Sequence, residues 1–159
     1  VLDTKSFTIR TGERTFDAAA VLRRHGADTA AVKRLFQSDM EDTVAKYKIL
    51  QSAKLYRKVA VAAPEEPQER VVAAQAADEL LSIQGVRASF VIFRVGNEIA
   101  ISARSLGDVN VQILLEEFGG GGHLNMAGAQ IKNSTTNDVR KALIRVLDEK
   151  LSEATKKNN

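Results

Sequence analysis

Residues 99–130 read IAISARSLGDVNVQILLEEFGGGGHLNMAGAQ, and this stretch decides the fold that the sequence predicts. Its apolar residues first alternate, as in a half-buried strand, and then recur at helical spacing over residues 111–118. Asp108 precedes the helical segment and is predicted to cap its N-terminus. Four glycines and His123 follow the helix directly. The stretch therefore predicts a strand and a short helix that fix the position of a glycine-rich loop.

The glycine run is longer than a helix end requires. A helix that only has to stop uses one glycine, whereas this sequence has Gly119, Gly120, Gly121 and Gly122 in succession. Glycine lets the backbone pass close to another group and point N–H groups at it, which is how proteins bind anions through the main chain. A flexible loop tip is the alternative, but small residues recur at positions 127–129, where a mere loop has no need of them. We therefore predict a phosphate or nucleotide site.

Polar side chains mark the end of the predicted strand. Ser102, Arg104 and Ser105 lie where the alternating apolar pattern runs out into residues 106–108. An arginine at such a position can bind a phosphate through two parallel hydrogen bonds. We therefore assign these three side chains to the same predicted site as the glycines.

Composition narrows the classes of function. The chain has 23 basic and 20 acidic residues and a net charge of +3, which argues against tight, non-specific binding of nucleic acid. It has no cysteine, so it contains neither a disulfide framework nor a thiolate metal site, and a reducing cytoplasmic setting fits. No stretch of the sequence is apolar enough to span a membrane.

Two groups of motifs carry a resemblance to a known family. The run from Gly119 to His123, with SARS at residues 102–105 before it, resembles the substrate-binding DHHA1 domain of the DHH/DHHA1 phosphoesterases. The opening VLDTKSFTIRTG, followed by RTFDAA at residues 14–19 and HGAD at residues 25–28, is similar to the GdpP-type cyclic di-AMP phosphodiesterases. The likeness covers nearly the whole chain and stops at its C-terminal tail.

The resemblance implies an activity and a metal requirement. The parent enzyme would hydrolyse a phosphodiester bond of cyclic di-AMP to give the linear dinucleotide pApA, with two Mn²⁺ ions activating the attacking water. Asp3 matches the last metal ligand of the catalytic DHH domain, and carboxylates suit such hard cations. The Asp-His-His motif that names this domain is absent from the 159 residues. We therefore expect the chain alone to bind substrate without turning it over.

The resemblance also assigns roles to the site residues. Ser102, Arg104 and Ser105 would hold a phosphate distal to the reacting one, and His123 would donate a hydrogen bond to a phosphate oxygen. Asn110 would contact a base or a sugar, although an exposed residue in the first turn of a helix explains it equally well. The backbone amides that would contact phosphate or ribose are those of the glycine run, Gly119, Gly120, Gly121 and Gly122.

Two other classes of function stay open from the sequence. One is a short-RNA exonuclease or adenosine bisphosphate phosphatase of the same superfamily, against which only the opening segment argues. The other is a non-catalytic nucleic-acid-binding module, which predicts a basic stripe with exposed aromatics, whereas aromatic residues make up 5% of this chain. The expected partners are cyclic di-AMP, short oligonucleotides, the missing DHH domain of the same chain and a second copy in a homodimer. The chain is expected to be a cytoplasmic domain of a membrane-anchored parent.

The overall pattern predicts an α/β fold, with a mixed β-sheet and helices packed against it, preceded by a helical connector. We predict that residues 1–53 form the end of the DHH domain and the connector, that residues 54–151 form the DHHA1 domain, and that residues 152–159 form a flexible tail. The first connector helix is predicted to begin with Thr15 as its cap and to bury Phe16 and Leu22. The predicted order of elements after the connector is β-α-β-β-α-β-α.

Overall fold

A computed structural model describes residues 4, 6–8 and 10–157. The chain divides into two compact units, residues 1–39 and residues 40–159. The predicted metal ligand, Asp3, lies outside the described residues.

The first unit contains two short helices, α1 (Glu13–Arg24) and α2 (Thr29–Arg34). The N-terminal cap of α1 is Gly12, and Thr15 lies three residues inside the helix, where its hydroxyl accepts a hydrogen bond from the Gly12 N–H at 3.3 Å. Neither helix has a buried residue. The prediction that Phe16 is buried is therefore wrong, since 57% of it is exposed. Two helices this short offer one another too little surface to form a core.

The second unit contains the helices and the sheet. Its helices are α3 (Met40–Gln51), α4 (Arg70–Leu80), α5 (Val111–Glu116) and α6 (Thr136–Lys157). Its strands are β1 (Lys54–Tyr56), β2 (Val59–Ala62), β3 (Ala88–Val95), β4 (Glu98–Ser105), β5 (Gly121–His123) and β6 (Met126–Lys132).

The described strands form one six-stranded sheet in the order β1-β2-β3-β4-β6-β5. The pair β2 and β3 is parallel, and the other neighbouring pairs are antiparallel. Gly96, with a φ of 57°, and Asn97 form the predicted tight turn between β3 and β4. The predicted α/β fold with a mixed sheet and packed helices is confirmed.

Hydrophobic residues lie on both faces of this sheet. Val91, Phe93 and Ala100 form one buried cluster with the apolar residues of α3 and α4. Residues that alternate with them on the same strands, such as Ile92 and Ile101, form a second cluster with α5 and α6. Because successive side chains of a strand point to opposite faces, α3 and α4 cover one face and α5 and α6 cover the other.

Four elements of the structure differ from the elements that the sequence predicted. Helix α3, assigned to the connector, belongs to the second unit, where its Ile49 is fully buried against the α4 cluster. Helix α6 continues to Lys157, through most of the segment predicted as a tail. The short strands β1 and β5 were not predicted, because three residues are too few to show a period.

Among the described residues, no helix combines the length and the apolar character needed to cross a membrane.

Candidate functional site

The pairing of three strands brings distant residues of the predicted site onto one face of the sheet. Residues paired across neighbouring strands share a face, and β6 pairs with β4 on one side and with β5 on the other. Two rows of residues therefore run across the sheet on the same side as α4. One row contains Ser102, Gly128 and Gly121, and the next row contains Arg104, Met126 and His123. Three segments of the chain thus converge on this face.

An open cleft of about 590 Å³ lies on this face, over strands that α4 does not cover. Ser102 and the first three glycines of the run line it, as the sequence predicts for a common site. The other lining residues are Arg70, Phe93, Ala100, Ile101, Gly128, Ala129 and Gln130.

Arg104 does not line the cleft but lies beside it, with 9% of its surface exposed. Its Nε donates to Asp78 Oδ1 of α4 at 3.1 Å. Its Nη1 donates to the Ala103 carbonyl at 2.9 Å and to the Ser102 hydroxyl at 3.3 Å. The arginine predicted to bind phosphate is therefore engaged with a carboxylate of its own chain.

Ser105 lies on the opposite face of the sheet from Ser102 and is 6% exposed. Its hydroxyl accepts hydrogen bonds from the backbone N–H groups of Gly107 at 3.0 Å and Val109 at 3.4 Å. These bonds fix the loop that follows β4. The structure therefore does not place Ser105 in the cleft, because a shift of one or three residues along a strand reverses the face.

Asn110 caps helix α5, a position that the sequence assigned to Asp108. Its side-chain oxygen accepts from the N–H groups of Gln112 at 3.1 Å and Ile113 at 3.3 Å. Asp108 instead forms an ion pair with Arg87 at 3.2 Å. The prediction for Asp108 is wrong, and Asn110 lies outside the cleft.

The first two glycines use their amide groups to end helix α5. The N–H of Gly119 donates to the Glu116 carbonyl at 3.0 Å, and the N–H of Gly120 donates to the Leu115 carbonyl at 2.9 Å. Gly119 has a φ of 69°, the left-handed conformation that favours glycine after a helix. These two amides are therefore occupied, contrary to the expectation that every glycine of the run offers an N–H group to a ligand.

From Gly120 to Gly122 the glycines alternate between a packed and an open environment. A Cβ on Gly120 would lie 2.6 Å from the Cβ of Ala129, and a Cβ on Gly122 would lie 2.6 Å from the Cα of Ala127. A Cβ on Gly121 would meet nothing within 4 Å. Gly120 and Gly122 therefore let the glycine run lie close against β6, whereas Gly121 faces open space at the cleft.

Sequence reasoning missed Arg70 and Gln130, which also line the cleft. With its amide group oriented to satisfy both residues, the side-chain oxygen of Gln130 accepts from both terminal nitrogens of Arg70, at 2.7 Å from Nη1. Arg70 is the first residue of α4, and Gln130 is on β6. No local pattern connects the two residues, which lie 60 positions apart.

The site contains groups that bind anions, but no described group of side chains that would hold a metal. Guanidinium, hydroxyl, imidazole and glycine backbone are all suited to phosphate oxygens. Within the described ranges, no three His, Cys, Asp or Glu residues are close enough to hold a metal ion. The fold and the site thus define an α/β domain with groups suited to an anion on the uncovered part of its sheet.

The model of the DHHA1 domain family matches residues 56–153, and the chain belongs to this family. It is 47% identical over 152 residues to the cyclic-di-AMP phosphodiesterase PdeA of Listeria monocytogenes, covering 93% of this chain and 23% of that protein. It is 43% identical over 155 residues to the cyclic-di-AMP phosphodiesterase GdpP of Bacillus subtilis, covering 94% of this chain and 24% of that protein. The chain therefore spans about a quarter of the length of these relatives.

Solved structures support the fold. An exopolyphosphatase-related protein from Bacteroides fragilis superposes with a TM-score of 0.79 at 22% identity, covering 95% of this chain and 48% of that one. A pGpG-specific phosphodiesterase from Vibrio cholerae gives a TM-score of 0.54 at 19% identity, covering 88% of this chain and 52% of that one.

Proposed function

We propose that this chain is the substrate-holding part of a metal-dependent phosphodiesterase that converts cyclic di-AMP to pApA. The observation that carries the proposal is the identity of 43–47% to proteins named cyclic-di-AMP phosphodiesterases, over 90–94% of this chain. The aligned part includes most or all of the domain with the cleft. In this proposal the activity belongs to a complete protein of the relatives' length, of which a chain like this one spans about a quarter.

We propose that the Ser102 hydroxyl contacts the substrate directly. Its oxygen accepts a hydrogen bond from Arg104 Nη1 at 3.3 Å, so its own hydrogen is available to donate to a phosphate oxygen. A hydroxyl that accepts from a cation is a better donor, because hydrogen bonds in a chain polarise one another. This arrangement suits a hydroxyl that binds an anion.

In this proposal Arg104 does not contact the phosphate but supports the Ser102 hydroxyl that does. A direct, two-pronged contact with phosphate, as predicted from the sequence, would require the guanidinium to leave Asp78, to which it donates at 3.1 Å. The Arg104 side chain is only 10% exposed, so removing its carboxylate partner is costly unless the new partner fully replaces the old one. The positive charge of Arg104 still favours an anion at the neighbouring hydroxyl.

Gly121 and His123 complete the proposed phosphate site. Gly121 is exposed and lies in the same row as Ser102, and His123 is exposed and lies in the next row on the same face. The absence of a side chain at Gly121 lets a phosphate approach the backbone, and the imidazole can donate from either ring nitrogen that carries hydrogen. Hydrogen bonds that involve a charged group contribute about 1.5–3 kcal/mol each.

The metal centre belongs to the missing part of the protein in this proposal. The described residues do not fit a two-ion site, since they contain no suitable group of ligands, and we derive no catalytic step from them. Two Mn²⁺ ions in a DHH domain, with Asp3 as their last ligand, would activate the water. The Mn²⁺ identity, the membrane-anchored parent and the homodimer rest on the family resemblance alone.

The alternative substrates share the phosphate chemistry of the cleft. Short RNA and adenosine bisphosphate would use the same hydroxyl, backbone and imidazole groups. No contact in the cleft favours them, whereas the names of the relatives favour cyclic di-AMP. We therefore keep them as competing substrates in the test.

Steady-state kinetics of the complete protein with Mn²⁺ test this function. We expect His123→Ala to raise KM for cyclic di-AMP about tenfold or more with a milder loss of kcat, because the lost contact is present in both ground and transition states. His25→Ala is the matched control, since its imidazole is exposed and bonds the Val21 carbonyl of its own helix. The 159-residue chain alone should show no hydrolysis.

Two results would contradict the proposal in different ways. If the complete protein hydrolyses short RNA or adenosine bisphosphate but not cyclic di-AMP, the substrate is wrong. If His123→Ala abolishes kcat with KM unchanged and the fold intact, His123 acts on the reacting phosphate and does not hold a distal one.

A further inference from the structure

The charged residue that faces the cleft is not the arginine that the sequence singles out. Among the described residues that line the cleft, Arg70 is the only one with a charged side chain. Arg70 is exposed, whereas Arg104 is 9% exposed and lies beside the cleft. The two guanidinium groups therefore have different access to a ligand.

Their partners differ in charge as well. Arg104 donates to the carboxylate of Asp78, which offsets its positive charge. Arg70 donates to the neutral amide oxygen of Gln130, which holds the guanidinium in place and leaves its charge uncompensated by that contact. Arg70 also begins α4, an 11-residue helix whose N-terminus carries a partial positive charge. The acidic neighbour Glu69 does not line the cleft, although it lines an adjoining depression that Arg70 also borders.

The register of the sheet gives the position of Arg70 relative to the proposed phosphate site. Gln130, which holds Arg70, pairs with Ala100, whereas Gly128 pairs with Ser102. Two residues along a strand correspond to about 7 Å. The row that contains His123 lies on the other side of the Ser102 row. Arg70 is therefore held on the opposite side of the Ser102 row from His123, which lies beside the cleft and does not line it.

We propose that Arg70, positioned by Gln130, binds a second phosphate of the ligand, distinct from the one held by Ser102 and Gly121. This inference rests on the proposed function and adds a selectivity to it. A ligand with two phosphates engages both ends of the cleft, whereas a mononucleotide engages only one. Arg70 thereby makes the cleft selective for dinucleotides over mononucleotides.

The test compares two ligands on variants of the 159-residue chain by NMR titration, with cyclic di-AMP and AMP as probes. We expect Arg70→Gln to weaken binding of cyclic di-AMP about tenfold or more, the effect of losing a charge-assisted hydrogen bond. Binding of AMP should change less than about twofold. Arg70→Lys should recover part of the lost affinity for cyclic di-AMP, because lysine restores the charge but not the paired hydrogen bonds of a guanidinium.

Arg94→Gln is the matched control, because Arg94 is an exposed arginine that lines the neighbouring depression and not the cleft. It removes the same charge, so cyclic di-AMP should bind it as it binds the unaltered chain. Equal weakening by Arg70→Gln and Arg94→Gln would show a general effect of net charge and overturn the inference. Equal loss of cyclic di-AMP and AMP affinity in Arg70→Gln would overturn the selectivity.

The failure of the proposed function has a different signature. If the unaltered chain does not bind cyclic di-AMP at its cleft residues, the proposed function fails and the inference fails with it. If the unaltered chain binds cyclic di-AMP and Arg70→Gln binds it equally well, the proposed function stands and the role of Arg70 is wrong.

Discussion

The two faces of the sheet at β4 and β6 are made by alternate residues of the same strands, yet helices cover them unequally. On one face Ile101, Ala103 and Ala127 are buried beneath α5 and α6. On the other face Ser102 and Gly128 line an open cleft. A displacement of one residue therefore changes whether a side chain contributes to the core or is available to a ligand.

The glycine run follows the same alternation. Gly120 and Gly122 approach the packed residues Ala129 and Ala127, whereas an added Cβ on Gly121 would meet no atom. The glycines thus have two physical roles, close packing of one strand on another and access of a ligand to the backbone. Substitutions on the two faces should separate loss of stability from loss of binding.

The largest effect is expected at Gly120. Gly120→Val should lower the free energy of unfolding by about 3 kcal/mol, the upper end for overpacking, because backbone atoms of β6 occupy the space that the side chain needs. In Gly121→Ala the added methyl group has room, so stability should change by less than about 0.5 kcal/mol while affinity for cyclic di-AMP falls. Urea denaturation and ligand titration of both variants measure the two quantities. A Gly120→Val protein as stable as the unaltered chain would remove the distinction between these glycines.

An intermediate effect is expected for the two serines of β4. Ser105→Ala should cost about 1–3 kcal/mol of stability, because the buried N–H of Val109 and the partly buried N–H of Gly107 lose their acceptor. Ser102→Ala should leave stability nearly unchanged and weaken binding of cyclic di-AMP about two- to tenfold. Thermal unfolding and titration of the same preparations compare them. The reverse assignment of the two losses would show that Ser105, and not Ser102, contacts the ligand.

The smallest effect is expected at the edge of the packed face, where Tyr56 lies against the core. The hydrogen bond from its hydroxyl to Asp148 raises the pKa of Tyr56 above 10.0, and burial and the charge of Asp148 act in the same direction. A raised pKa stabilises the fold below the pKa of the unfolded tyrosine, and the contribution is lost as the pH rises through the folded pKa.

Tyr56→Phe keeps the aromatic ring in place and removes only this contribution. We expect a slightly lower midpoint of thermal unfolding at neutral pH, a difference that shrinks above pH 10, and unchanged binding of cyclic di-AMP. A difference in midpoint that grows with pH would contradict the assignment of the hydrogen bond.

The sequence alone predicts the family-level fold and the segment that supplies most of the cleft. Long strands with regular alternation, the turn at Gly96, helix α4 and helix α6 as far as residue 151 follow from local periodicity, which needs no knowledge of distant contacts. The glycine run and the serine of β4 could be assigned to one site because their residue types are hard to explain by packing alone. The binding roles of these residues stay predictions.

Which of these groups line the cleft depends on the tertiary structure. Arg104 looked like the phosphate-binding arginine until the fold placed Asp78 beside it, and Arg70 gained its position only through Gln130. The burial of α3 likewise depends on residues far along the chain, because Ile49 packs into a cluster with residues of α4, β3 and β4. Local sequence fixes the period of an element, but the charge balance and exposure of a side chain depend on what packs against it, and that is set by contacts between distant segments.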